Sequence, residues 1–301
     1  MAIRHLDEVF DILKSKSKKR VVAAYANDAH TIEALSGAVE LGIVDATLVG
    51  DEATIKGVCA EHKIDVSKFK IVQEADEVKA AAKAVELINA GEGDVLMKGL
   101  VSTDKYMRAI LNKEKGLLPP KAVLSHVTVI DAPNYHKLLC VGDVAIIPAP
   151  DLNQKVASTN YVIRVAKSLG IDTPKVAVLA ATEQMLAGMP ACVDAALIAK
   201  MGERGQIKGA IIDGPLALDV AIDKEAAQIK KLTGAVPGDA DCMVFPKIES
   251  GNVFFKACTK LGKAELGAMV LGAKVPCVLT SRGDSVKSKM YSIALAANAA
   301  K

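Results

Sequence analysis

The segment Thr280-Ser281-Arg282-Gly283-Asp284-Ser285 sets a hydroxyl, a guanidinium, a glycine and a carboxylate in direct succession. A reaction that handles a phosphate and a thiol would use that set. Arg282 would neutralise phosphate oxygens and the charge developing on a carbonyl. Asp284 would accept a thiol proton and Ser281 would orient the sulfur. The same residues could equally make a helix N-cap with a surface Arg–Asp pair.

A second candidate loop runs from Lys98 through Gly99, Ser102, Thr103 and Asp104 to Arg108. Lys98 would emerge from a strand, Gly99 would permit a tight turn, and Ser102, Thr103 or Asp104 would cap the following helix. The free N–H groups and positive dipole end of that helix attract an anion. Arg108, about one turn in, could add a bidentate grip. The competing reading is an ordinary capped helix with Lys98 in water.

The third stretch is Leu124-Ser125-His126-Val127. His126 could carry a proton near neutral pH, with Ser125 beside it, although a lone histidine at a strand start is more often structural. His5, His30, His62 and His136 have no evident partner in the sequence. Two further strand ends lead into helices: Asp213 to Asp219, and Phe245 to Asn252. Asn252 is the ligand candidate there, and Asp219 could instead stabilise its helix start.

Several patterns are missing. G-x-x-x-x-G-K-[ST] does not occur, so there is no P-loop. Gly91 and Gly93 precede a strand instead of following one, which gives no support for a nicotinamide site. There is no G-x-S-x-G elbow for a serine hydrolase. No H-E-x-x-H or carboxylate cluster suggests a metal.

These loops need elements to hold them. Short β-branched runs are expected as strands at 21–25, 46–49, 94–98, 127–131, 143–147, 175–180, 209–213, 242–246 and 275–280. Helical patterns lie between them at 32–41, 76–90, 105–113, 153–169, 193–204, 224–231 and 254–260. Such alternation signals doubly wound α/β domains with mainly parallel sheets. In those sheets ligands bind at the carboxyl ends of strands, where the candidate loops lie.

With 301 residues, two domains are the default. The composition is 51% hydrophobic but only 3% aromatic and has no Trp. Aliphatic residues must therefore build the core, and stacking platforms for nucleic acid are disfavoured. The net charge of +3 has no basic tract beyond Lys14, Lys16, Lys18, Lys19 and Arg20, read as a solvated helix end. Six cysteines lack C-x-x-C or zinc spacing and are expected to be reduced, as in a cytoplasmic protein. The N-terminus reads as an amphipathic helix rather than a signal peptide. No apolar run approaches the ~20 residues of a membrane span.

Read in order, DVLMKGLVSTDKYMRAILNKEKGL (94–117), LSHV (124–127), GPLALD (214–219), IESGN (248–252) and TSRGDS (280–285) resemble phosphate butyryltransferases. They resemble phosphate acetyltransferases more distantly. The resemblance implies reversible transfer of a short acyl group between coenzyme A and inorganic phosphate, giving an acyl phosphate. Coenzyme A would be a substrate, with no permanently bound cofactor, and the protein a homo-oligomer. The implied fold is two α/β domains with a cleft between them, as in isocitrate/isopropylmalate dehydrogenases. Residues 1–128 plus 273–301 would form the first domain and 129–272 the second.

In the related acetyltransferases the CoA thiolate is thought to attack directly in a ternary complex. The serine of their Ser-Arg-Gly motif serves the thiol and the arginine the substrate, which implies those roles for Ser281 and Arg282. Arg108 matches an arginine implicated in substrate or CoA binding. One departure matters: their proposed aspartate base, seven residues after that serine, is Ser288 here, so Asp284 is the replacement candidate. Competing expectations are a phosphate acetyltransferase, a dehydrogenase on the same fold, and a noncatalytic CoA-binding protein.

Overall fold

The computed structural model describes residues 2–280 and 284–301. In chain order the elements are α1 (Glu8–Lys14), β1 (Lys19–Ala24), α2 (Ala29–Glu40), β2 (Val44–Gly50), α3 (Glu52–Glu61), β3 (Phe69–Gln73), α4 (Glu77–Asn89), β4 (Val95–Lys98) and α5 (Thr103–Ile110). There follow β5 (Ser125–Asp131), β6 (Leu139–Gly142), α6 (Leu152–Ser168), β7 (Lys175–Leu179), α7 (Pro190–Glu203), β8 (Ile211–Leu216), α8 (Leu218–Ile222), α9 (Lys224–Ile229), β9 (Cys242–Val244) and α10 (Ile248–Lys260). The chain ends with β10 (Glu265–Leu271), β11 (Cys277–Val278) and α11 (Val286–Ala299).

Packing divides the chain into two compact units, one of residues 6–124 and 267–301, the other of residues 1–5 and 125–266. The sequence expectation places residues 1–5 and 125–128 with the first group and residues 267–272 with the second. Ser125 opens β5, whose Val127 to Ile130 pair in register with β6, so a boundary at 128 would cut a paired strand.

In the 6–124/267–301 unit the strands run β3-β2-β1-β4-β11-β10. All neighbours are parallel except the last pair. The centre is buried on both faces, which is why β1 and β4 read as near-continuous apolar runs. Acidic and hydroxyl caps start the helices: Asp28 accepts from the Thr31 N–H, Asp51 from Thr54, Asp76 from Val78 and Lys79, and Ser285 from Ser288. Gly267 lets α11 lie close on β10. A Cβ there would come within 2.7 Å of Leu295 and 2.9 Å of Tyr291.

In the other unit the order is β5-β6-β9-β7-β8, with β5 and β6 antiparallel and the rest parallel. Phe245, Met243, Val141, Leu179 and Leu216 build its core. Cys192, Cys242 and Cys277 are buried, as small core residues should be.

The strand expected at 143–147 is absent. Its apolar run follows β6 and is turned by Asp143, whose carboxylate accepts the N–H groups of Ala145, Ile146 and His126 at 2.7, 2.8 and 2.9 Å. The sequence reading also missed α3, β3, β6 and β10. The helix expected from 254 begins instead at Ile248.

Candidate functional site

The site is built at the carboxyl ends of three adjacent parallel strands. Register pairs Ala24 with Lys98, Leu96 with Cys277, and Met97 with Val278. The loops leaving β1, β4 and β11 therefore start side by side. Between β1 and β4 the strand order reverses, and such a switch point opens a crevice between diverging loops. A cavity of about 250 Å³ lies there, lined by Asp28, His30, Lys98, Gly99, Thr280 and Lys289 among others.

Lys98 and Lys289 are each only 3% exposed. Lys98 ends β4 and donates to the Gly99 carbonyl at 3.3 Å. Lys289 sits one turn into α11 and donates to the Thr280 hydroxyl at 3.1 Å. Burial pushes the Lys289 ammonium below the ordinary lysine range, while the charges of Asp28 and Asp284 pull it the other way. Asp28 caps α2: one carboxylate oxygen accepts the Thr31 N–H at 3.0 Å. Its other oxygen is buried and has no hydrogen-bond partner among the described residues.

Gly99 is needed for its size. A Cβ at this position would meet the Tyr25 and Ala24 carbonyl oxygens at 2.5 and 2.8 Å. The Gly99 and Leu100 N–H groups use those same two carbonyls at 3.0 and 2.8 Å, which binds the β4 loop to the end of β1. Below it, the buried Tyr106 hydroxyl faces the carbonyls of Leu96 at 3.1 Å and Val278 at 3.3 Å, bracing β4 against β11. Burial also pushes the neighbouring Cys277 thiol up to about 12, so it offers no thiolate.

The start of α5 differs from expectation. Ser102 does cap the helix through the Lys105 N–H, and Thr103 is exposed at the first helical position. However, the Glu77 carboxylate from α4 takes the Ser102 N–H at 2.6 Å and the Lys105 ammonium. The helix start thus carries its own counter-anion, because α4 and α5 pack together. Arg108 points to solvent, 79% exposed, and pairs with Asp104. It does not line the cavity.

Asp284 is half-buried on the approach to α11. Ser281 and Arg282 lie outside the described residues. Ser125, His126 and Asn252 belong to the 125–266 unit. Ser125 is buried and donates to the Ser158 hydroxyl at 3.1 Å. His126 is buried, with its ring nitrogen 3.2 Å from the Thr128 hydroxyl. Asn252 donates to the Val144 carbonyl at 3.0 Å. These bonds give all three architectural work. Asp219 pairs with Lys230 at 3.1 Å.

Three histidines without evident sequence partners meet carboxylates: His5 with Asp131, His62 with Glu33, and His136 with Asp239. Among the described residues no group of His, Cys, Asp and Glu is arranged to hold a metal ion.

Sequence reasoning missed Asp28, His30 and Lys289 as cavity residues. Asp28 follows the same strand-end logic that found Lys98. Lys289 carried no local signal: it follows Lys287 and precedes the mostly apolar stretch Met290 to Ala297, as a solvated helix start would.

The profile of the phosphate acetyl/butaryl transferase family matches residues 5–82 and 72–297. A phosphate butyryltransferase of Clostridium acetobutylicum is 45% identical over 295 residues, covering 98% of both chains. A phosphate acetyltransferase of Rhizobium meliloti is 39% identical, covering 97% of this chain and 92% of its own. The crystal structure of a branched-chain phosphotransacylase from Enterococcus faecalis superimposes with a TM-score of 0.81 at 30% identity, over 93% of this chain and 98% of its own.

Proposed function

The chain belongs to the phosphate acetyl/butaryl transferase family, and we propose on that footing that it moves a butyryl group between coenzyme A and inorganic phosphate. It is an acyltransferase. The proposed reaction is butyryl-CoA plus phosphate giving butyryl phosphate plus CoA. The butyryl assignment is supported by relatives of that name at 45% and 43% identity. It also draws on MKG, GPLALD and the closing SIALA, which resemble the butyryl subgroup.

The observation that carries the reading is the position of Thr280, in the wall of a cavity with two buried lysines at a switch point. The Ser281–Asp284 segment is next in sequence. In the CoA-consuming direction, Asp284 accepts the thiol proton and Ser281 orients the sulfur. The thiolate then attacks the acyl-phosphate carbonyl: the C–S bond forms, the C–O bond to phosphorus breaks, and phosphate leaves with the electron pair. Arg282 neutralises the oxyanion and the departing phosphate. Arg108, turned to solvent, meets the phosphates of CoA.

Coenzyme A enters as a substrate, not as a resident cofactor. We assign the two compact units as the two domains, and a homo-oligomer as the working form. The unpaired cysteines suit a reducing cytoplasm. Among the described residues no helix is long and apolar enough to cross a membrane. An Asp284→Asn variant tests the base assignment. Its pH–rate profile should lose the limb at which the thiol proton is taken, and an unchanged profile removes Asp284 from that role.

A second reading, a phosphate acetyltransferase or an enzyme of broad short-chain range, is favoured by the 39% identity to an acetyltransferase. One methylene in an apolar pocket changes binding by only about 1–3 kcal/mol, so chain-length preferences should overlap.

A further inference from the structure

We propose that the face formed by α7 and the edge strand β8 is the contact by which two copies of this chain associate about a two-fold axis. The inference goes beyond the acyl-transfer reading and does not depend on it.

Eleven large apolar side chains are exposed among the described residues, and five of them, Met185, Leu186, Val193, Leu197 and Ile211, fall on α7, the loop before it and the start of β8. Scattered apolar side chains are ordinary at a surface, but a gathered patch marks a place of contact. The gathering is spatial. Met185 shares one groove with Ala196 and Ala199 of α7 and with Ala210, Ile211 and Ile212 at β8. Val193 and Leu197 lie one turn apart on α7, 39% and 46% exposed, beside the row of Ala196 and Ala199. β8 ends the sheet order, so among the described residues its outer edge has no strand beside it. An open edge next to an apolar groove is an aggregation hazard unless something covers it.

The face itself says what covers it, because it carries both a hollow and a ridge. Small side chains line a groove of about 500 Å³ between α7 and β8. Gly202 keeps the two elements close, since a Cβ there would come within 2.9 Å of the Ile212 side chain. Next to the groove, Val193 and Leu197 stand out from the helix. A two-fold axis through such a face sets the ridge of each copy against the hollow of the other, since an isologous contact pairs residue i with j and j with i. The charges fit the same symmetry. Lys200 donates to both oxygens of the Glu203 carboxylate at 2.7 Å, and both side chains are exposed at the groove. Across an antiparallel pair of α7 helices each Lys200 can exchange its own Glu203 for that of the second copy. Arg204 adds a further positive charge near Glu203, and Asp213, the remaining charged group of the groove, accepts the Gly214 N–H. A foreign partner would have to supply a ridge of matching size with charges of both signs. A second copy has them by construction.

The test is the mass of the full chain in solution, by sedimentation equilibrium over a range of protein concentration. The parent should have the mass of an even number of chains. Leu197→Glu sets a charge on the ridge and should at least halve that mass, with the circular dichroism of the parent, because Leu197 lies outside the chain's own core. Leu261→Glu, at an apolar side chain 85% exposed and outside the patch, should leave the mass as it is in the parent. Should Leu197→Glu fail to fold, Leu197→Ala keeps the test and should raise the dissociation constant about tenfold. Mixing reads the exchange of charges: Lys200→Glu and Glu203→Lys should each weaken association, while an equimolar mixture of the two associates more tightly than either alone. A parent of one chain, or of an odd number, overturns the proposal. So does a folded Leu197→Glu or Leu197→Ala protein that associates like the parent, equal dissociation by Leu261→Glu, or a mixture no tighter than its parts.

Discussion

The Lys289 ammonium donates to the Thr280 hydroxyl over 3.1 Å, joining the last helix to the residue that precedes Ser281. A lysine inside an apolar helix face is thereby turned toward the carboxyl end of β11. Around this bond lie the other groups of the cavity, Asp28 from the end of β1 and Lys98 from the end of β4. Three segments far apart in sequence supply one small polar chamber, because three parallel strands end together.

The tightness of that arrangement predicts the cost of one methyl group. In Gly99→Ala the new Cβ would sit 2.5 Å from the Tyr25 carbonyl oxygen and 2.8 Å from that of Ala24. Both are backbone atoms and cannot rotate away. Overpacking of this kind costs about 1–3 kcal/mol. Urea unfolding should show that loss, and turnover should fall further than stability because Lys98 is displaced with the loop.

Tyr106→Phe removes the hydroxyl that braces two strands. The carbonyls of Leu96 and Val278 lose a buried donor. The expected cost is about 1–3 kcal/mol by chemical denaturation. A variant as stable as the parent would show that the brace is not needed.

Asp239 gives a pH-dependent prediction away from the cavity. Burial alone would raise its carboxyl, but hydrogen bonds from Lys137, Lys175 and His136 outweigh that and hold it well below the usual carboxylate range. A depressed folded-state value means stability that is present above the unfolded value and lost as the pH falls below it. Asp239→Asn should therefore be less stable than the parent at pH 7, by about 1 kcal/mol for partly exposed pairs. The gap should narrow below about pH 4, near the unfolded carboxylate value. Urea melts of both proteins at the two pH values check the sign. A gap that widens on acidification would contradict it.

Arg282→Ala should lower kcat/KM by about 10²–10³, the usual effect of removing one group that stabilises a developing oxyanion. Steady-state kinetics on a variant with the parent's melting temperature measures this. Parent-like turnover would take Arg282 out of the chemistry.

Much of the α/β pattern was legible because period and burial agree. The runs at β1, β4 and β7 are apolar on both faces, and acidic caps mark the starts of α2 and α4. The pattern failed where one side chain overruled it. The 143–147 run has strand composition, yet Asp143 binds the next N–H groups and turns the chain. β10 carries Gly267, whose missing side chain is what lets α11 pack on the strand. In the site, Lys98 and Gly99 were readable from strand-end logic. The anion-binding start expected for α5 was not realised, because Glu77 comes from another helix and no local spacing announces it. Lys289 was hidden for the same reason, since its role depends on Thr280 and Asp28 lying beside it in space.

The most direct measurement is CoA release from acyl-CoAs of two to six carbons, followed by thiol titration with and without inorganic phosphate. The account predicts release that depends on phosphate, yields an acyl phosphate in equal amount, and is fastest with the four-carbon substrate. Release that proceeds equally without phosphate, or none with any chain length, would contradict it.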